Sequence, residues 1–235
     1  MSKPQDGFVS RFLNRPVSSR ITRLLVKLPI HPNGLTMSIF IFPMLAWLFL
    51  MRGDYLSIVI GAAIFQGFSI LDGCDGELAR AKNLESKFGE RLDYFCDFMA
   101  SLLYVLGLGM GLDRVTEGVV CAVLITANEL VLRAGRNRMS VSPSELHESF
   151  YSRHHGMIGH SGLLHLGDEF VWWLFQLTKR DMAIFVFLVL ALLDMAGLIL
   201  DVWITVAGAS LVLSGIAVVR AGNNGNEIVT REPRT

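Results

Sequence analysis

The sequence predicts an all-α polytopic membrane protein, with six transmembrane helices behind an N-terminal interfacial amphipathic helix. Three observations predict this. Apolar residues make up 52% of the 235 residues, and the mean hydropathy is +0.47. Apolar runs near the roughly 20 residues that a helix needs to cross a bilayer recur along the chain, with short polar turns between several of them. Lys and Arg, 21 in all, fall almost entirely on one side of the resulting topology, with only Arg52 and Arg114 on the other.

Residues 1–34 form the juxtamembrane segment. Pro16 suits the first turn of a helix. Val17, Ile21, Leu24, Leu25 and Leu28 then share one face, while Arg20, Arg23 and Lys27 lie elsewhere. This basic amphipathic pattern predicts a helix lying along a membrane surface, ended by Pro29 and Pro32. Residues 35–220 form the six-helix domain. The first span is 35–51, with Pro43 as a kink. The second has a sixteen-residue apolar part, 56–71, and must continue through Arg80 to cross. The third is 89–112 and the fourth 115–132, where Glu129 and Arg133 are helical i, i+4 partners. Residues 134–180 form a polar loop with a short aromatic segment around Trp172 and Trp173. The fifth and sixth spans are 182–200 and 202–219, joined by a tight turn at Asp201. Asp194 falls inside the fifth span with no partner in view. Residues 221–235, rich in Gly and Asn, read as a disordered tail.

Net charge is zero, so nothing in the overall balance points to nucleic acid. Cys74, Cys96 and Cys121 sit in apolar segments and give no disulfide framework; they read as small buried residues. The first long apolar run starts near Leu35, which is late for a secretory signal peptide. His147, His154, His155, His160 and His165 match no zinc spacing and read as a solvated loop.

Chemistry concentrates in residues 72–97. Asp72, Asp75, Gly76, Ala79 and Arg80 follow i, i+3, i+4, i+7, i+8, and share a helical face. Gly89, Asp93 and Asp97 share a second. Opposed at the membrane edge, the two faces place four carboxylates around one point. Such charges repel unless cations join them, and oxygen ligands suit magnesium, manganese or calcium better than zinc. Gly76 and Ala79 leave room for a ligand near the backbone, and Arg80 offers a planar donor suited to phosphate. The predicted metal ligands are Asp72, Asp75, Asp93 and Asp97.

The pattern D-x2-D-G-x2-A-R-x8-G-x3-D-x3-D resembles the signature of the class I CDP-alcohol phosphotransferase family, with every fixed position matched. Arg15-Pro16 and Pro32-Asn33-Gly34-Leu35-Thr36 also look family-like and lean toward its inositol-phosphate branch. The resemblance implies an integral membrane enzyme that transfers a substituted phosphate from a CDP-alcohol, often CDP-diacylglycerol, to an acceptor hydroxyl with release of CMP. It implies two divalent ions, Mg2+ or Mn2+, a homodimer, and Asp97 as the base that takes the acceptor proton. Asp72, Gly76, Ala79 and Arg80 match positions used around the cytidine nucleotide, and Asn33 and Thr36 are further candidates. Direct displacement, with no covalent intermediate, suffices.

Arg133, Arg136 and Arg138, at the end of the fourth span, are candidates for binding a phosphorylated acceptor such as an inositol or glycerol phosphate. Lys179 and Arg180 are open to the same reading. With the positive side inside, the motif faces the cytoplasm. Three functions compete: a transferase making phospholipid, a CDP-inositol-dependent transferase making a soluble polyol phosphodiester, and a divalent-cation channel or transporter. The last needs polar residues through the membrane centre, and 56–64 and 100–112 offer almost none.

Overall fold

The structure, a computed structural model, describes residues 8–139 and 180–229, with side chains for 8–134, 180–216 and 218. The described residues form an all-α membrane bundle. Five stretches are long and apolar enough to cross: Pro32–Leu50, Tyr55–Lys82, Lys87–Gly111, Val115–Ala134 and Gly197–Ile216. The elements are α1 Arg15–Leu25, α2 Pro32–Ile39, α3 Ile41–Leu50, α4 Tyr55–Lys82, α5 Lys87–Gly111, α6 Val115–Met139, α7 Arg180–Leu192 and α8 Gly197–Val229.

Local chemistry sets the ends of the long helices. Asp54 caps α4 by accepting from the Ser57 backbone N–H at 3.0 Å, and Ser86 caps α5 by accepting from Gly89 at 3.0 Å. Asn83 stops α4 in the left-handed region, φ 53°. The first span is two helices, interrupted at Phe40. Pro43 has no N–H for the Ile39 carbonyl, so the ladder breaks one turn before it. Before α1 a π-helical turn, Ser10–Asn14, precedes Pro16. Helix therefore begins earlier than Pro16, and the wider turn sits where that residue has no hydrogen to give.

Two boundaries differ from the sequence reading. The hinge between the last two helices lies at 193–196, not at Asp201. Asp194 turns the chain there at φ 59°, a conformation Asp tolerates better than most residues. It is exposed in the hinge between two helices, not inside a span as the sequence reading placed it. Asp201 is held within α8 by Arg114 from the α5–α6 turn. α7, the described helix over the first part of the expected fifth span, has 13 residues. At its other end α8 runs to Val229, through residues expected to start a tail, since extending an existing helix needs no new nucleus. Residues 1–7, 140–179 and 230–235, with the five loop histidines and Trp172 and Trp173, lie outside the described residues.

The core is apolar and tight. Phe65, Phe68, Tyr104 and Phe187 are buried and, with Trp203, form a chain of ring contacts linking α4, α5, α7 and α8. Gly109 and Gly118 bring α5 against α6 so closely that a Cβ on Gly109 would lie 2.9 Å from the Gly118 Cα. Large apolar residues such as Met44, Leu48, Val123 and Val212 stay exposed around the outside, as a lipid-facing surface requires.

α1 packs on α4 with a polar face inward. Asn14, Ser18 and Thr22 are buried, while Leu24 is 65% exposed. Asn14 Nδ2 donates to Ser69 Oγ at 3.3 Å, and Gln66 Nε2 donates to Asn14 Oδ1 at 3.2 Å. Periodicity finds the apolar stripe of α1, but the stripe buried on protein is its opposite.

Candidate active site

α4 and α5 run antiparallel and meet through a short turn, which puts the end of α4 beside the start of α5. The two halves of the motif therefore converge. One carboxylate oxygen each from Asp72, Asp93 and Asp97 lies within 4.8 Å of the others. Asp75 is buried on the same helix as Asp72 but turns toward α2. Its Oδ2 accepts from Thr36 Oγ1 at 2.5 Å. The convergence follows from the spacing, and the departure of Asp75 from the tight group does not.

Crowded carboxylates need donors or cations. Asp93 Oδ1 and Asp97 Oδ1 are buried and have no hydrogen-bond partner among the described residues. Leaving such oxygens unsatisfied costs free energy, more so for an ionised group. Among the described residues, the ion pairs of the cluster run to Arg180, not to the neighbouring Arg80, Lys87 or Arg91. Its Nη1 pairs with Asp97 Oδ2 and lies 3.9 Å from Asp72 Oδ2. Arg180 also lies over the Phe68 ring, 5.7 Å from its centroid. One guanidinium does not neutralise four carboxylates. An all-oxygen set with buried open lone pairs fits a hard divalent cation, and Asp72, Asp93 and Asp97 would hold it, with Asp75 adjoining.

The other predicted residues line the same end. Arg80 is exposed, and a Cβ on Gly76 would stand 3.4 Å from its Nη1, so glycine leaves the guanidinium room. Ala79 is half-buried beside them. Asn33 packs on the start of α5, where a Cβ on Gly89 would meet its Oδ1 at 2.9 Å. His31, rather than Asn33, caps α2: its Nδ1 accepts from the Asn33 N–H at 3.2 Å. Arg133 pairs with Glu129 at 2.6 Å, as the i, i+4 spacing predicts, and lies over the Tyr94 ring beside Asp93. Arg136 and Arg138 lie on the last turns of α6, and their side chains are outside the described set. Cys74, Cys96 and Cys121 are buried and unbridged.

Two features escape sequence reasoning. Arg180 reaches Asp97 across 83 positions, and nothing local marks it out from Lys179. Glu77, a variable position inside the motif, gathers the N-terminal helix. It accepts from Arg15 Nη1 at 3.2 Å, Ser18 Oγ at 3.0 Å and Ser19 Oγ at 3.3 Å. The one available signal is that a third acid of this motif half falls off the Asp72–Asp75 face.

The described residues thus form an all-α membrane bundle with an acidic cluster at one end that could hold a metal ion. The class is shown by comparison: residues 29–207 match the CDP-alcohol phosphatidyltransferase family, and the chain belongs to it, which places it among transferases. It is similar to proteins named bifunctional IPC transferase and DIPP synthase. The one from Archaeoglobus fulgidus is 38% identical over 100 residues, 43% of this chain and 19% of that protein. The Aquifex aeolicus protein is 41% identical over 107 residues, 46% of this chain and 24% of its own. The Thermococcus kodakarensis protein is 40% identical over 105 residues, 42% and 23%. The matched stretches thus span a quarter or less of those relatives.

Proposed function

We propose that the protein transfers a substituted phosphate from a CDP-alcohol to a hydroxyl of an inositol phosphate and releases CMP. The observation that carries this reading is the meeting of Asp72, Asp93 and Asp97 from two helices at one end of the bundle. Family membership supplies the reaction class. The relatives' shared name supports an inositol phosphate as acceptor.

Asp72, Asp75, Asp93 and Asp97 would hold two Mg2+ or Mn2+ ions, which would supply neutralising charge for the donor's pyrophosphate and the departing CMP oxygen. The chain's own groups do the rest. Asp97 takes the proton of the acceptor hydroxyl. The hydroxyl oxygen bonds to the phosphorus that carries the alcohol, and the bond from that phosphorus to the CMP oxygen breaks. Gly76, Ala79, Arg80 and Asn33 hold the nucleotide, with Asp72 at its edge. Arg133, Arg136 and Arg138 hold the acceptor's phosphate as planar donors. Glycerol phosphate is the alternative acceptor.

Two donors fit. CDP-diacylglycerol makes a phospholipid, and CDP-inositol makes a soluble phosphodiester; similarity to the IPC transferase and DIPP synthase proteins favours the second. The motif end faces the cytoplasm by its share of Lys and Arg. α1 lies in the inner interface, with Phe12 and Leu24 toward lipid and Arg20, Arg23 and Lys27 toward headgroups. The enzyme works as a homodimer, as the family resemblance implies.

The test supplies purified protein with labelled CDP-diacylglycerol or CDP-inositol and, in turn, inositol phosphate, glycerol phosphate, inositol or serine. We expect CMP release with inositol phosphate that needs Mg2+ or Mn2+. Absence of release with every combination would overturn the substrate class.

A further inference from the structure

We propose that Thr36 is a positioning residue that holds Asp75 to the metal centre. This deepens the function proposed above and rests on reading the acidic cluster as that centre. Asp75 is the one motif aspartate not among the three whose oxygens converge, and its carboxylate is buried. Without a restraint its side chain has several rotamers open to it. One restraint is local, the Gly76 backbone N–H donating to Oδ1 at 2.5 Å; the other comes from another helix. Thr36 is buried on α2, and its Oγ1 stands 2.5 Å from Asp75 Oδ2.

Thr36 has a single hydroxyl proton and two acceptors within reach. The Pro32 carbonyl, one helical turn back, lies at 3.2 Å. The carboxylate is nearer and the stronger acceptor, so the proton goes to Asp75. The bond to Pro32 is what any helical threonine can form; the bond to Asp75 needs α2 at this place beside α4. Two further contacts fix that placement. Lys82 Nζ, near the end of α4, donates to the carbonyls of Leu28 at 2.6 Å and Ile30 at 2.9 Å, just before α2. Asn33 fills the space over Gly89 on α5. The entry to α2 is thus tied to both motif helices, and Thr36 is the point where the tie reaches a carboxylate. With Thr36 on Oδ2 and the Gly76 N–H on Oδ1, the carboxylate is held in one orientation, in which it would adjoin a bound cation. Hydrogen bonds of this kind orient metal-binding carboxylates, and their loss typically costs about 10–100-fold in metal affinity.

The test measures Mn2+ binding by electron paramagnetic resonance on the full chain in detergent, without substrate. Thr36→Val keeps the volume and removes the hydroxyl; Thr36→Ser restores it. We expect Mn2+ affinity to fall about tenfold or more in Thr36→Val and to return in Thr36→Ser. In an Asp75→Asn background, Thr36→Val should add no further loss. Thr36→Ala is the second hydroxyl-free variant if Val does not fold, and unfolding of both would overturn the proposal by making the bond purely structural. Wild-type Mn2+ affinity in Thr36→Val would also overturn it. So would weaker CMP binding with Mn2+ affinity unchanged, which would make Thr36 a nucleotide contact. Failure of the wild-type protein to bind Mn2+ at all would instead overturn the metal centre itself.

Discussion

At the end of the bundle away from the motif, Arg114 spans two helices. Its Nη2 meets Asp201 Oδ1 at 2.5 Å, its Nε meets Glu117 at 3.3 Å, and its Nη1 donates to the Gly197 carbonyl at 2.9 Å. Every one of these charges faces an opposite one. At the motif end, Asp72, Asp75, Asp93 and Asp97 gather around a single described arginine, and two of their buried oxygens have no donor among the described residues. The far end spends its charge on joining helices. Among the described residues the near end keeps a surplus of one sign that packing alone does not explain, as the proposed cation centre requires. Mutations should therefore separate activity from stability according to the end they touch.

The largest effect is expected at the motif. Asp97→Asn should lower CMP release by about 10²–10⁴-fold, the range for loss of a general base, while CMP binding persists. The thermal midpoint should change little, because relief of like-charge crowding offsets the lost ion pair to Arg180. Release at the wild-type rate would remove Asp97 from that role. Next comes Gly111→Ala at the far end. Its Cβ would stand 2.0 Å from the Leu50 carbonyl oxygen, and Gly53 (φ 74°) packs equally tightly on Gly111. Backbone atoms do not step aside cheaply, so this overpacking should cost about 1–3 kcal/mol or more. A thermal midpoint equal to wild type would contradict the backbone contact.

A smaller effect is expected from Arg114→Ala. Arg114 and Asp201 are 30% and 49% exposed, so solvent screens the pair, and a double-mutant cycle with Asp201→Asn should give about 0.2–1 kcal/mol. The coupling should shrink in high salt, and CMP release should not change. The smallest is at Asp54, whose carboxyl is held below its usual range by hydrogen bonds from Ser57. A carboxyl lowered in the folded state contributes stability above its unfolded pKa. That contribution fades as pH falls through the folded value. The acid side of the melting profile should thus be flatter in Asp54→Asn than in the wild type.

The long helices were legible because caps and apolar runs are local. Asp54, Ser86 and Asn83 set α4 and α5 within a residue or two of the expected ends. The convergence of Asp72, Asp93 and Asp97 was legible for the same reason, since both halves lie on helices joined by a short turn. What failed depends on distant partners. Asp194 and Asp201 are equally good turn residues in isolation, and Arg114 decides between them from 87 positions away. Arg180 enters the cluster only because α7 packs on α4. The polar inward face of α1 was not marked by periodicity, which finds the apolar stripe and says nothing of what Ser18 and Thr22 meet.

The seam between α1 and α4 is sewn with hydroxyls, amides and one carboxylate, from Asn14 through Ser18 to Glu77. Oil-like solvents offer such groups nothing to exchange for. A mild detergent that swaps freely with lipid should leave the first helix seated, whereas urea, which competes for hydrogen bonds, should peel it away before the bundle opens. The attachment works less like grease than like a zip fastener.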